Sequence, residues 1–160
     1  ADSAMAPLGL PMSPLNLLGL VGPAVALHVA QTLHDNLGDR YRVSPTVTRL
    51  VQSGIKTFYL KDADGKLTPN PQALALIEKG VKPSTADDLR KRALVALASE
   101  AKLMLDEGVV STPAEIDLCM LMGAGWPMHL GGILPYLDRE GISSQVCGSR
   151  FHSPGVASLN

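Results

Sequence analysis

The sequence predicts an all-α fold made of two related helical halves, joined by a small hairpin or extended loop. Three observations point to it. Prolines at helix starts and glycines at helix ends recur along the chain, β-forming residues cluster in one short segment, and a Gly-X-Pro-Met motif appears twice with similar flanks. The 160 residues include 15 Gly and 12 Pro, above the usual combined share of about 12%, and their placement carries the signal. Proline at the first helical position loses no hydrogen bond, because that N–H has no intrahelical partner. Glycine just past the last turn supplies the left-handed residue that stops a helix.

Ser13-Pro14 to Gly22, Gly22-Pro23 to Gly38 and Ser44-Pro45 to Gly54 predict three helices in the first half, residues 1–56. Thr57-Phe58-Tyr59-Leu60 is rich in β-formers, Asp64-Gly65 is a turn signal, and Leu67-Thr68 can return, which places a hairpin or extended loop at 57–69. Asn70-Pro71 to Gly80 opens the second half, residues 70–141. The longest helix is predicted at Ser84–Glu107, with Ser84 and Asp87 as its capping box and Gly108 as its stop. Leu89, Ala93, Leu94, Leu97, Ala101, Met104 and Leu105 keep helical spacing. The run Ala93 to Ala98 is apolar almost all round, so this helix, about 36 Å long, is expected to be central and buried. Thr112-Pro113 to Gly123 predicts another helix, with Glu115 completing a capping box. Beyond Ile142, Ser, Gly and Pro predominate, and residues 142–160 read as an irregular tail.

The chain nearly repeats itself at a separation of about 115 residues. Asp2-Ser-Ala-Met5 followed by Leu8-Gly9-Leu10-Pro11-Met12 corresponds to Asp117-Leu-Cys-Met120 followed by Ala124-Gly125-Trp126-Pro127-Met128. Each copy is a helix, a Gly-X-Pro-Met elbow and a second short helix. Glycine ends the first helix, and proline forbids its continuation. In the second copy a long helix precedes the elbow; the matching helix of the first copy would lie before residue 1. The first half is therefore expected to be truncated on its N-terminal side and to lack a packing partner. The first residue, Ala rather than Met, likewise suggests an excised or processed piece.

Charge and composition exclude several roles. With 14 basic against 15 acidic residues, the net charge is -1. The densest basic cluster, Arg90-Lys91-Arg92, is offset by Asp87-Asp88, which argues against a nucleic-acid partner. Cys119 and Cys147 form no disulfide framework and no zinc spacing, so a reduced cytoplasmic setting is the expectation. Apolar stretches such as Leu15 to Val29 are interrupted by Gly, Pro or His, whereas a spanning helix needs about 20 residues. No secretory leader opens the sequence.

Few residues point to chemistry. Gly123-Ala-Gly125-Trp-Pro-Met-His-Leu-Gly131 superficially looks like a dinucleotide loop, but a helix precedes it and Met128 occupies the sixth position. His28 and His34 lie six apart on one helix and do not share a face for metal; either could pair with Asp35 or Asp39. His129, beside the elbow, is best placed for a pocket, His152 carries no signal, and Cys119 is expected to face the core. Glu100 lies among Leu97, Ala101 and Met104, where a structural pairing is expected. No catalytic residue and no metal site can be assembled.

Leu8-Gly-Leu-Pro-Met-Ser-Pro-Leu-Asn-Leu-Leu-Gly-Leu-Val-Gly22 resembles the G-x-P-M-G-P-F-x-L-L-D-x-V-G elbow of the 3-hydroxyacyl-CoA dehydrogenase C-terminal domain. The stretch Glu115 to Gly141 is similar to the degenerate second copy found at the end of multifunctional fatty-acid β-oxidation proteins, such as the trifunctional enzyme α subunit. Arg92 to Glu100, followed by Leu105 to Gly108, is similar to that family's long helix. The resemblance implies a 6-phosphogluconate dehydrogenase C-terminal-like helical domain, with both halves in one chain. It implies NAD and the catalytic residues in an upstream Rossmann domain absent here, and hence no catalytic residue and no cofactor within these 160 residues. It also implies acyl-CoA as the parent's substrate, an enoyl-CoA hydratase activity and a thiolase subunit as partner. Pro11, Met12 and Leu17 would line the acyl end of the substrate cleft. Lys91 stands where the family places a substrate-facing Asn, so the second half reads as scaffold. A non-catalytic interaction module and a helical acyl-chain binding domain are the alternatives.

Overall fold

The computed structural model describes residues 1–78 and 80–156. The chain is mostly helical and divides into two compact units. One, the hairpin unit, comprises Asp2 and Met12–Pro83; the other, the long-helix unit, comprises Ala1, Ser3–Pro11 and the chain from Ser84 onward. Among the described residues no single helix is long and apolar enough to cross a membrane.

The hairpin unit carries α2 (Pro14–Val21), α3 (Pro23–Leu37), α4 (Pro45–Gln52), β1 (Tyr59–Lys61), β2 (Leu67–Pro69) and α5 (Pro71–Ala75). Each of its four helices starts on proline, as the punctuation predicts. The strands pair antiparallel, with Leu60 opposite Thr68. The turn between them is tied by the Asp62 carboxylate, which accepts from the amides of Asp64 and Lys66. Leu50, Phe58 and Ala73 form the buried core, with Leu15, Leu18 and Ile55 against it. Buried Asn70 caps α5 through the Gln72 amide and donates its own amide to the Thr57 carbonyl, fastening helix to hairpin. Helix α5 stops at Ala75 rather than running towards Gly80, and the Arg49 guanidinium takes up the Leu76 carbonyl just beyond its end.

The long-helix unit opens with α1 (Asp2–Met5), whose Ser3–Met5 belong to it, and continues with α6 (Ala86–Asp106), α7 (Pro113–Met122), α8 (Ile133–Arg139) and α9 (Ile142–Cys147). The capping box of α6 sits one residue later than expected: Thr85 and Asp88 exchange hydrogen bonds, while Asp87 pairs with Arg90. Only one stripe of α6 is buried (Leu94, Ala98 and Ala101), and Leu97 and Leu103 face solvent. The apolar run therefore overstated its enclosure. Glu115 reaches the Ser111 amide instead of closing a box with Thr112. Residues 142–147, expected to be irregular, form α9 and pack on α6. The core gathers Leu94, Ala98, Ile116, Trp126, Leu134 and Leu137 together with Ala4, Met5 and Leu8 from the opening segment. Met5 and Leu8 are thus enclosed by this unit itself, contrary to the expectation that the first residues lack a cover.

Candidate functional site

The two elbows meet inside the long-helix unit. Gly9 and Gly125 have φ of 68° and 69°, left-handed values that a side chain would strain. A Cβ on Gly9 would lie 3.3 Å from His129 Cε1 and 3.9 Å from Pro127 Cγ; one on Gly125 would lie 3.0 Å from Pro11 Cγ. Each elbow proline therefore rests on the glycine of the other elbow. Contacts that exchange partners in this way are the signature of a twofold relation, and here both members come from one chain.

A second correspondence involves Asp2 and Asp117, which the repeat aligns. Asp117 Oδ1 accepts from the Leu134 amide at 2.8 Å, and Leu134 is the second residue of α8. In the hairpin unit Asp2 Oδ1 accepts from the Leu15 amide at 2.9 Å, and Leu15 is the second residue of α2. In both copies a carboxylate from one helix caps an otherwise unpartnered N–H of the next, where the positive end of the helix dipole favours it. The second oxygen is also occupied in each case. Asp2 Oδ2 accepts from Tyr59 Oη at 2.6 Å and Ser13 Oγ at 2.7 Å, while His152 Nε2 donates to Asp117 Oδ2 at 2.7 Å. Burial works to raise the Asp2 pKa, but the bonds from Tyr59, Leu15 and Ser13 outweigh it and hold the carboxyl below its usual range. Tyr59 is pushed up to about 12, first by its hydrogen bond to Asp2, then by burial and the carboxylate charge.

These pairs fasten neighbouring segments of the chain. Both oxygens of each carboxylate are committed to hydrogen-bond donors, so neither is poised as a general base. His152, read as carrying no signal, ties the end of the described chain to α7, while the buried Asp138 carboxylate receives the Phe151 and His152 amides. Asp2, Tyr59, Asp117 and His152 were missed as a set; the aligned aspartates of the repeat were the available signal. Among the described residues no group of three His, Cys, Asp or Glu could hold a metal ion.

The hairpin unit presents a different surface. No residue of α2 is buried, and Leu17, Leu20, Val21, Val25, Val29 and Leu37 lie exposed along α2 and α3, Leu20 at 71%. Beside them runs an open apolar groove of about 370 Å³ bounded by Gly19, Gly22, Val25, Val51, Ile55 and Lys56.

The sequence-predicted residues distribute unevenly over these features. Pro11 packs on Gly125 in the elbow contact, Met12 is half-buried, and Leu17 stands exposed on α2; none of the three borders the groove. His34 pairs with neither Asp35 nor Asp39; its Nδ1 donates to the Gly38 and Tyr41 carbonyls and closes the end of α3. His28 is exposed, and His129 lies against Gly9. Cys119, expected in the core, is exposed on α7. Glu100 is half-buried beside a cavity of about 100 Å³ shared with Met104, Met120 and Ile133. The elbow glycines offer no phosphate cradle, because Pro11 fills the space over Gly125.

The family model of the 3-hydroxyacyl-CoA dehydrogenase C-terminal domain matches residues 1–58. Fatty acid oxidation complex subunit alpha of Shewanella putrefaciens is 31% identical over 154 residues, covering 91% of this chain and 22% of the relative. Its counterpart from Shewanella baltica is 30% identical over 169 residues, covering 94% and 24%. A peroxisomal fatty acid beta-oxidation multifunctional protein of Arabidopsis thaliana is 30% identical over 157 residues, covering 88% and 22%. The chain thus spans about a fifth to a quarter of the length of these relatives. Residues 1–58 belong to the 3-hydroxyacyl-CoA dehydrogenase C-terminal domain family, and about nine-tenths of the chain is similar to part of multifunctional fatty acid oxidation proteins.

Proposed function

We propose that this chain is the helical buttress of a longer enzyme that oxidises 3-hydroxyacyl-CoA to 3-ketoacyl-CoA with NAD and hydrates enoyl-CoA in a separate domain. NAD is assigned to an upstream Rossmann domain, since the residues here do not fit a dinucleotide: the elbow glycines are packed by prolines. The observation that carries the reading is the apolar surface of α2 and α3, with Leu17 and Leu20 open to solvent. A surface of that kind suits packing against neighbouring domains and lining the acyl end of a substrate cleft. Met12 and Leu17 are the side chains proposed to touch the acyl chain, with Pro11 holding the elbow that carries them. A thiolase subunit as partner and a reducing compartment such as the cytoplasm complete the proposal; the two free thiols suit the latter.

The test is NADH formation by the full-length protein with 3-hydroxyacyl-CoA of increasing chain length. Leu17→Asp is expected to lower kcat/KM for long chains by roughly tenfold or more while sparing four-carbon substrate, because a buried charge beside methylenes costs more than about 1.4 kcal/mol. Equal kcat/KM for variant and parent at every chain length would refute the cleft assignment. The groove beside Val25 and Lys56 favours a second reading, acyl binding by this domain alone. Saturable binding of fatty acyl-CoA to the 160-residue chain without NAD would support it.

A further inference from the structure

The basic residues of the long-helix unit are mostly engaged within it. Arg90 holds Asp87 and the Ala4 carbonyl, and Lys102 holds Asp106. Arg139 donates to the Leu130 carbonyl, and Arg150 reaches Asp138 and the His152 carbonyl. Lys91 and Arg92 differ. Both are exposed, and among the described residues neither forms a hydrogen bond or an ion pair. They border one open trough of about 580 Å³, with Val95 and Ala96 of α6 beside them and Gln145 of α9 on the other side, a volume within the range of small-ligand sites. Asp88, Lys91, Arg92, Val95 and Ala96 follow one another at spacings of three and four, which sets them along one stripe of α6. Asp88 is the acid on this trough, and its carboxylate accepts from the Thr85 amide and hydroxyl at the start of the helix. The two cations therefore leave the trough net positive, while Val95, Ala96 and the aliphatic stems of Lys91 and Arg92 make its wall hydrocarbon.

We infer that the trough between α6 and α9 binds the carboxylate end of a fatty acid. Charge complementarity and the apolar wall together select this occupant. An inorganic anion would use the cations and leave the wall bare, and a neutral lipid would use the wall and leave the cations unanswered. A carboxylate with an alkyl chain uses both. The Arg92 fork and the Lys91 ammonium receive the two oxygens, and the first methylenes lie along Val95 and Ala96. The trough belongs to the long-helix unit alone, apart from the elbow residues and the α2–α3 surface invoked for the acyl cleft. The inference stands on different residues from the proposed function, and its readout involves neither NAD nor turnover, so the two fail separately.

The test is the rate of Lys91 acetylation by an activated acetyl ester in the native full-length protein, read peptide by peptide by mass spectrometry. Saturating decanoate, kept below its micelle-forming concentration, should slow the reaction roughly fivefold or more, the mark of about four-fifths occupancy. Lys102, paired with Asp106 further along α6, should react at an unchanged rate. Inorganic phosphate at matched ionic strength and decanol should each leave Lys91 unprotected. Ala96→Glu, a change at an exposed helical position that should leave the melting temperature unaltered, should abolish the protection by decanoate. An unchanged Lys91 rate in decanoate would overturn the inference. So would equal protection by phosphate, which would reduce the trough to a bare cation pair, or by decanol, which would reduce it to an apolar wall. Lys91 that is unreactive before any ligand is added would give the face to another segment of the protein, and undiminished protection in Ala96→Glu would place decanoate elsewhere; either result overturns it as well.

Discussion

Gly132 offers a sharp perturbation because its backbone is ordinary. It is the N-cap of α8, with φ of -68° and ψ of 163°, values open to any residue. Its glycine is required for space instead: a Cβ there would lie 2.3 Å from Asp117 Cγ and 2.4 Å from Oδ1. Gly132→Ala must therefore displace the carboxylate that caps Leu134 and holds His152. Losing a helix cap costs about 0.5–2 kcal/mol, and losing a hydrogen bond to a charged group costs about 1.5–3 kcal/mol. Against this, Gly→Ala restricts the unfolded chain and returns about 0.4–1 kcal/mol. The net expectation is a loss of about 1–5 kcal/mol, measured by urea denaturation followed by circular dichroism. The double-mutant cycle supplies the stringent part. In an Asp117→Ala background the clash is gone, so adding Gly132→Ala should be neutral or stabilising by up to about 1 kcal/mol. Gly132→Ala at parental stability, or equally damaging with and without Asp117, would refute the reasoning.

Tyr59→Phe removes the 2.6 Å bond to Asp2 and, at a partly solvated site, should cost about 1 kcal/mol at neutral pH by urea denaturation. Because the folded Tyr59 pKa is raised to about 12 from 10, its contribution is complete below pH 10 and is lost as pH rises towards 12; the Phe variant should lack that alkaline loss. The lowered Asp2 pKa acts in the opposite direction: its contribution is present above the ordinary value of 3.8 and fades as pH falls below it, so Asp2→Asn should flatten the acid limb of the stability profile. Leu137→Ala, at a fully buried position, should cost about 2–5 kcal/mol. Leu20→Ser on the exposed α2 face should stay within about 0.5 kcal/mol in the 160-residue chain.

The helix starts were legible because proline acts locally. Pro14, Pro23, Pro45, Pro71 and Pro113 each open a helix wherever the rest of the chain goes. The hairpin was legible for the same reason, through its β-formers and Asp64-Gly65. What escaped depended on tertiary partners. Helix α9 has a weak local signature, Ser143 and Ser144 being poor helix formers, and forms where Ile142 reaches the core beside α6. The cap of α6 shifted because Ser84 and Thr85 are equally suitable in isolation, and Thr85 is the one whose hydroxyl reaches the third-residue amide. Cys119 was misplaced because burial was read from residue type, whereas the buried residues of α7 are Ile116 and Asp117. Of the candidate site, the two elbows were visible as a repeat. Their reciprocal contact was not, since a repeat tells which segments are alike and not that they touch.

Reciprocal packing of the two elbows underlies the twofold relation between the copies and the reading of Asp2 and Asp117 as paired caps. Nuclear Overhauser effects in the 16.9 kDa chain test it directly. The expected result is two cross-peak sets of similar strength, from the Gly9 α-protons to the Pro127 ring and from the Gly125 α-protons to the Pro11 ring. One set without the other, or neither in a folded sample, would contradict the twofold relation.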